Sequence, residues 1–222
     1  MTAKPFAAIF DLDGTLVDAF EDIRAAVNAP LRERGLPLCS VDDIRRMVGD
    51  GVGKLLERAG HHVPPEHMDE YRREAIAHYR AHPADRATVY PGIIPALQLI
   101  RAEGIRTGVL TNKPQAMTEK TLDQLGLTPY FDDVRGEHPE EAPRKPDPRA
   151  LFEQLERLGT PRAVLVGDGA PDGEVSQRAG VPFLACLWGT RTREQLEVYS
   201  PAAWADSPED LPELIMAMAR AG

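Results

Sequence analysis

Two carboxylates two residues apart, in Asp11-Leu12-Asp13-Gly14-Thr15, follow directly on the apolar run Phe6-Ala7-Ala8-Ile9-Phe10. One carboxylate so placed can attack an electrophile; the other, as the acid, can protonate a leaving group. Gly14 lets the backbone turn tightly and approach a ligand, although Asp and Gly are also ordinary turn residues. Thr111-Asn112-Lys113-Pro114 sets a hydroxyl and adjacent backbone N–H groups ahead of a helix predicted to start near Pro114. That suits an anion, and it equally suits plain N-capping. Lys145 is stiffened by the proline after it in Arg144-Lys145-Pro146-Asp147-Pro148. It is either a fixed positive charge for a phosphate and a nucleophile, or a solvated surface lysine. In Val166-Gly167-Asp168-Gly169-Ala170-Pro171-Asp172, two carboxylates four apart suit a hard, oxygen-ligated cation such as Mg²⁺. The plainer reading is a turn with an aspartate near a helix N-terminus.

The elements that must position these groups are legible. Phe6–Phe10, Arg106–Leu110, Ala163–Val166, Val181–Leu187 and, more weakly, Ala202–Ala205 are short β-rich runs separated by helical patterns. Continuous apolar strands alternating with helices predict an α/β fold with a Rossmann-like parallel sheet and helices on both faces. The intervening helices Ile93–Ala102 and Pro148–Leu158 stop at Gly104 and Gly159, as a left-handed cap position requires. Ligands of such sheets bind beyond the carboxyl ends of the strands, where Asp11, Thr111 and Asp168 stand. Carboxylates gathered at one edge repel one another without a cation, so the set calls for a metal ion together with Lys145.

Residues 17–86 break the rhythm. Phe20, Ile23 and Val27 follow helical spacing, and Pro30 is expected to end or kink that helix. Ser40 with Asp43 forms a predicted capping box for a helix through Met47; Met68, Tyr71, Ala75 and Tyr79 mark another, entered through Pro64-Pro65. So long a block exceeds a single crossover, and it reads as an α-helical cap inserted into a core of residues 1–16 and 87–222. Gly49-Asp50-Gly51-Val52-Gly53-Lys54-Leu55 is one residue short of a nucleotide P-loop, with Leu55 where Ser or Thr would hold Mg²⁺. It is read instead as a specificity loop facing the site, Gly49, Asp50 and Gly51 lining it and Lys54 meeting a substrate carboxylate; a plain inter-helix turn is the alternative. His78 and His82 share metal-ligand spacing but lack a third ligand, and the six histidines are read as structural or solvent-facing.

At 222 residues, with 42% apolar and 27% charged residues, the chain has the composition of an ordinary soluble protein. No apolar run is long enough for a membrane helix, and the N-terminus lacks a signal-peptide core. A formal charge of −9 argues against nucleic-acid and anionic-membrane partners, and demands a local cation if the substrate is an anion. The metal and Lys145 meet that demand. Cys39 and Cys186 allow one disulfide at most, so a reduced cytoplasmic protein, monomeric or homodimeric, is expected.

FDLDGT, TNK, RKPDP and VGDGAPD, in this order, resemble the haloacid dehalogenase superfamily of phosphohydrolases along nearly the whole chain, including a type-one helical cap. VGDGVGKLL at 48–56 and YFDDV at 130–134 are most similar to its phosphoglycolate phosphatase branch. The resemblance implies a Mg²⁺-dependent phosphatase of a small phosphomonoester, 2-phosphoglycolate being the first candidate. Asp11 would be the nucleophile, Asp13 the general acid and base, and Thr111, Asn112 and Lys145 the holders of the phosphoryl oxygens. Mg²⁺ would sit on Asp11, the Asp13 carbonyl and Asp168, with Asp172 acting directly or through water. A β-phosphoglucomutase-like enzyme is the alternative, which Thr15 disfavours; a non-catalytic binding protein on the same fold is another. Three departures stand out: Gly169 where Ser or Thr is usual, Gly173 where a helix former is common, and Gly136–Glu141 in place of an aspartate-bearing segment.

Overall fold

The computed structural model describes residues 5–138 and 143–221. The chain opens with β1 (Ala7–Phe10) and leaves the sheet through β2 (Val17–Asp18). Four helices follow, α1 (Phe20–Glu33), α2 (Val41–Met47), α3 (Val52–Ala59) and α4 (Met68–Ala81), before β3 (Thr88–Val89) returns antiparallel to β2. The chain continues through α5 (Ile93–Ala102), β4 (Arg106–Pro114), α6 (Gln115–Gln124), β5 (Asp133–Glu137) and α7 (Pro148–Arg157). It ends with β6 (Ala163–Gly167), α8 (Ala170–Ala179), β7 (Phe183–Cys186), α9 (Arg193–Leu196), β8 (Ala203–Ala205) and α10 (Leu211–Arg220).

Six strands form one parallel sheet in the order β5-β4-β1-β6-β7-β8, which is the expected α/β core. Successive side chains of a strand point to opposite faces, and here both faces are covered. Ala8 and Phe10 join one apolar cluster with Ile93, Leu97 and Ile100 of α5, while Ala7 and Ile9 join another with Leu151 and Leu155 of α7. β5 was not anticipated: Asp-Val-Arg-Gly-Glu is too polar to read as a strand, and it stands at the sheet edge, half-exposed.

The helices between β2 and β3 share an apolar cluster of their own, built on Phe20, Ile23 and Leu31 of α1, Ile44, Leu56 and Tyr71. Ser40 caps α2 as expected, its hydroxyl accepting from Asp43 N and Asp43 Oδ2 accepting from Ser40 N. Of the two outcomes expected at Pro30, ending the helix is the one the structure corrects. Pro30 neither ends nor bounds α1, which runs on to Glu33; Pro30 is buried beside Val27 and Leu31, and that packing outweighs the forfeited backbone bond. Among the described residues, no helix is long and apolar enough to cross a membrane.

Candidate active site

The edge of the sheet where β1, β4 and β6 end is assembled from close approaches. Asp11 N still donates to Val166 O at 2.9 Å, so the pairing with β6 runs one residue past the end of β1. The chain then turns through Gly14, whose φ of +94° favours glycine. A Cβ there would fall 2.4 Å from Asp168 Oδ2, so it is this carboxylate that Gly14 admits. Asp168 is fixed on all sides: Oδ1 accepts from Thr15 Oγ1 at 2.8 Å, and Oδ2 accepts from Thr190 N and Oγ1 at 2.7 Å each. Trp188 Nε1 donates to Thr15 O at 3.0 Å and ties the two loops together.

Lys145, only 2% exposed, lies 2.9 Å from Asp11 Oδ1 and 2.5 Å from Asp172 Oδ1. It is therefore not the solvated lysine of the plainer reading. Burial disfavours its charge, yet Asp11 and Asp172 hold its pKa above the usual lysine range. The other Asp172 oxygen accepts from Gly169 N at 3.0 Å and caps α8. Asn112 Nδ2 donates to Lys145 O and to Gly49 O, both at 2.9 Å, joining the lysine loop to the helical segment. Thr111 is buried, and with Asn112 it lines the cavity that Asp11 and Asp13 floor.

Asp11, Asp168 and Asp172 each offer a carboxylate oxygen within 4.8 Å of the others. Burial pushes Asp168 up, with the Asp11 charge adding to it. Burial likewise pushes Asp172 up, to about 7, against the pull of Lys145. Three hard anionic oxygens, dry and mutually repelling, are a donor set that fits Mg²⁺.

Sequence reasoning passed over Lys113. Its Nζ donates to Asp13 Oδ1 at 2.9 Å and stands 5.0 Å from the centre of the Tyr79 ring. β4 runs on through Pro114, so Lys113 shares a face with Thr111 by the two-residue period; that alternation was the available signal. Burial raises the Asp13 carboxyl despite this ammonium. Lys54 is not brought to the site. It projects from α3 into solvent and pairs with Glu57 at 3.0 Å, while Gly49 and Gly51 line the cavity and Asp50, paired with Arg58, lines the adjoining crevice together with Asp11, Asp13, Asp168 and Asp172. His82 pairs with Asp85 at 2.7 Å, and Cys39 and Cys186 are free thiols.

The departures also have structural settings. The hydroxyl that Gly169 lacks has counterparts in Thr15 and Thr190, both bonded to Asp168. Gly173 does not loosen α8, which is continuous; a Cβ there would lie 2.3 Å from the Tyr199 ring, so packing selects glycine. Of Gly136–Glu141, residues 139–141 lie outside the described residues; Glu137 pairs with Arg144 at 2.7 Å.

The profile of the haloacid dehalogenase-like hydrolases matches residues 8–186. The phosphoglycolate phosphatase of Rhodospirillum rubrum is 39% identical over 196 residues, covering 83% of this chain and 80% of that protein. That of Aquifex aeolicus is 33% identical over 214 residues, covering 93% and 95%. The solved structure of a haloacid dehalogenase-like family hydrolase from Streptococcus pneumoniae shares the fold, with a TM-score of 0.84 at 23% identity over 96% of this chain and 99% of that one. The chain belongs to the haloacid dehalogenase-like hydrolase family, among its phosphoglycolate-phosphatase-like members.

Proposed function

We propose that this hydrolase is a Mg²⁺-dependent phosphatase of a small phosphorylated metabolite, with 2-phosphoglycolate the first candidate, acting through an aspartyl-phosphate on Asp11. The enzyme class, a phosphoric monoester hydrolase, is that of relatives at 33–39% identity over most of the chain. The observation that carries the mechanism is the Lys145 ammonium set between Asp11 and Asp172, 2.9 and 2.5 Å away, in a site that also holds Asp168. Phosphoryl transfer asks mainly for in-line positioning and charge neutralisation, and a buried ammonium fixed beside Asp11 supports that reading.

In the first step an Asp11 oxygen attacks phosphorus, the ester P–O bond breaks, and Asp13 gives its proton to the leaving alkoxide. In the second, Asp13 takes a proton from water as the water oxygen attacks phosphorus. The P–O bond to Asp11 then breaks, and phosphate leaves. Lys145 holds Asp11 aligned and, with the Thr111 hydroxyl and the backbone N–H of Asn112, receives the phosphoryl oxygens, since both Asn112 amide hydrogens are taken by Lys145 O and Gly49 O. Mg²⁺ held by Asp11, the Asp13 carbonyl and Asp168 would neutralise charge on the phosphoryl group. Asp172 orients Lys145, since one of its oxygens meets that ammonium and the other caps α8.

Asp11→Asn tests the mechanism. Phosphate release from 2-phosphoglycolate with Mg²⁺ should fall by at least about 10⁴-fold while circular dichroism reports an unchanged fold. Unimpaired hydrolysis by that variant would overturn it.

A further inference from the structure

The cavity above Asp11 and Asp13 has two unlike parts. Its upper wall is apolar, formed by Ile23 and Val27 of α1, Val52 and Leu55 of α3, and Ile76 of α4. At its base, beside Asp13, lie Lys113 and Tyr79, among the described residues the only polar side chains of this cavity not already claimed by phosphoryl transfer. Lys113 is 6% exposed, and among the described residues it is the only cation lining this cavity. An ammonium carries three donors, and the Asp13 contact uses one. Tyr79 is 7% exposed; its hydroxyl is buried and makes no hydrogen bond of ordinary geometry among the described residues, although the Lys113 ammonium approaches it and stands 5.0 Å from the ring centre. A buried hydroxyl without a partner is costly, and native structures rarely leave one without a reason.

We propose that Lys113 and Tyr79 form a carboxylate subsite on the leaving-group side of Asp13, which restricts the substrate to the phosphomonoester of a short hydroxy acid. This rests on the phosphatase reading above and deepens it. A carboxylate accepts from the free ammonium hydrogens and from the Tyr79 hydroxyl, meeting both unsatisfied groups at once. Size agrees. The cavity is compact, about 70 Å³, which suits a small leaving group rather than a large one. The apolar wall selects against sugars, whose hydroxyls would be buried without partners. The subsite also relocates the role expected of Lys54, which points to solvent.

The test compares kcat/KM for 2-phosphoglycolate and for ethyl phosphate, which replaces the carboxylate by a methyl group, in the wild type and in Tyr79→Phe and Lys113→Met. The wild type should prefer 2-phosphoglycolate. Tyr79→Phe should lower that preference about tenfold and Lys113→Met about a hundredfold, the range of hydrogen bonds to charged groups. Lys113→Met also strips Asp13 of its partner and slows both esters, so the ratio is the readout, not the rate. If that variant fails to fold, Tyr79→Phe decides alone. An unchanged ratio in a folded variant, or a wild type that treats the two esters alike, overturns the subsite and leaves the phosphatase reading standing. A wild type that hydrolyses neither these nor any other small phosphomonoester with Mg²⁺ overturns both.

Discussion

Gly14 and Asp168 show how closely this site is built at the residue level. With φ at +94° and Asp168 Oδ2 where a Cβ would have to go, even a methyl group forces the carboxylate away from Thr15 and Thr190. Gly14→Ala should therefore lower kcat/KM about a hundredfold, the scale of an ångström misplacement, in addition to the backbone strain. Steady-state kinetics check this, and a loss under threefold would show that Asp168 has room to move. The residues at the strand ends were readable because their chemistry is unusual for their position: Asp after a buried strand, Lys before proline. Lys113 was hidden inside the same motif, since assigning it a partner needs the register of β4 and the position of Tyr79 on a helix some thirty residues earlier. Lys54 failed in the opposite way. A lysine in a glycine-rich loop invites a role, but that loop passes straight into α3, which carries the side chain outward to Glu57.

At the level of elements, apolar runs and glycine stops marked β1, β4, β6 and the helices between them, because both faces of the sheet are buried there. β5 lies at an edge and lacks that pattern, and Pro30 shows tertiary packing overriding a local rule. The position of the joint of the helical segment, on either side of residues 17–86, was read from sequence; the bonds that hold it were not. β2 pairs with β3, and buried Asp22 at the start of α1 accepts from Arg86 N at 3.1 and 3.0 Å and from Ala87 N at 2.8 Å. These contacts clamp the two connections where the proposed cap, residues 17–86, meets the proposed core. Removing the carboxylate leaves two backbone donors unpaired. Asp22→Ala should cost about 2–3 kcal/mol, seen as a fall in Tm of roughly 5–10 °C. A shift below a degree would show that the clamp carries no weight.

For the whole molecule the governing fact is acidity: a formal charge of −9, with three carboxylates turned inward at one point. Burial raises Asp13, Asp168 and Asp172, the last to about 7, so the folded protein takes up protons that the unfolded chain releases near pH 4. The stability these groups provide is thus present at low pH and is lost as pH rises above the unfolded carboxyl range near 4 and through their raised folded values, about 7 for Asp172; a depressed carboxyl behaves in the opposite sense. Held beside these carboxyls, Mg²⁺ would favour their charged forms and so compete with those protons. Its stabilisation should grow with pH across the same window, because at pH 8 the cation finds a deprotonated, self-repelling set and at pH 5.5 it must displace protons. The depressed surface carboxyls, Asp43 and Asp147 among them, contribute equally with and without the ion and cancel in the difference. Lys113 and Lys145 are raised and stay charged throughout. At a hundredfold excess over Kd the ion adds about 2.7 kcal/mol, or roughly 5–10 °C in Tm, at pH 8. Differential scanning fluorimetry with Mg²⁺ or EDTA at the two pH values measures it; a shift at pH 5.5 as large as at pH 8, or none at either, would detach the carboxylate cluster from metal binding.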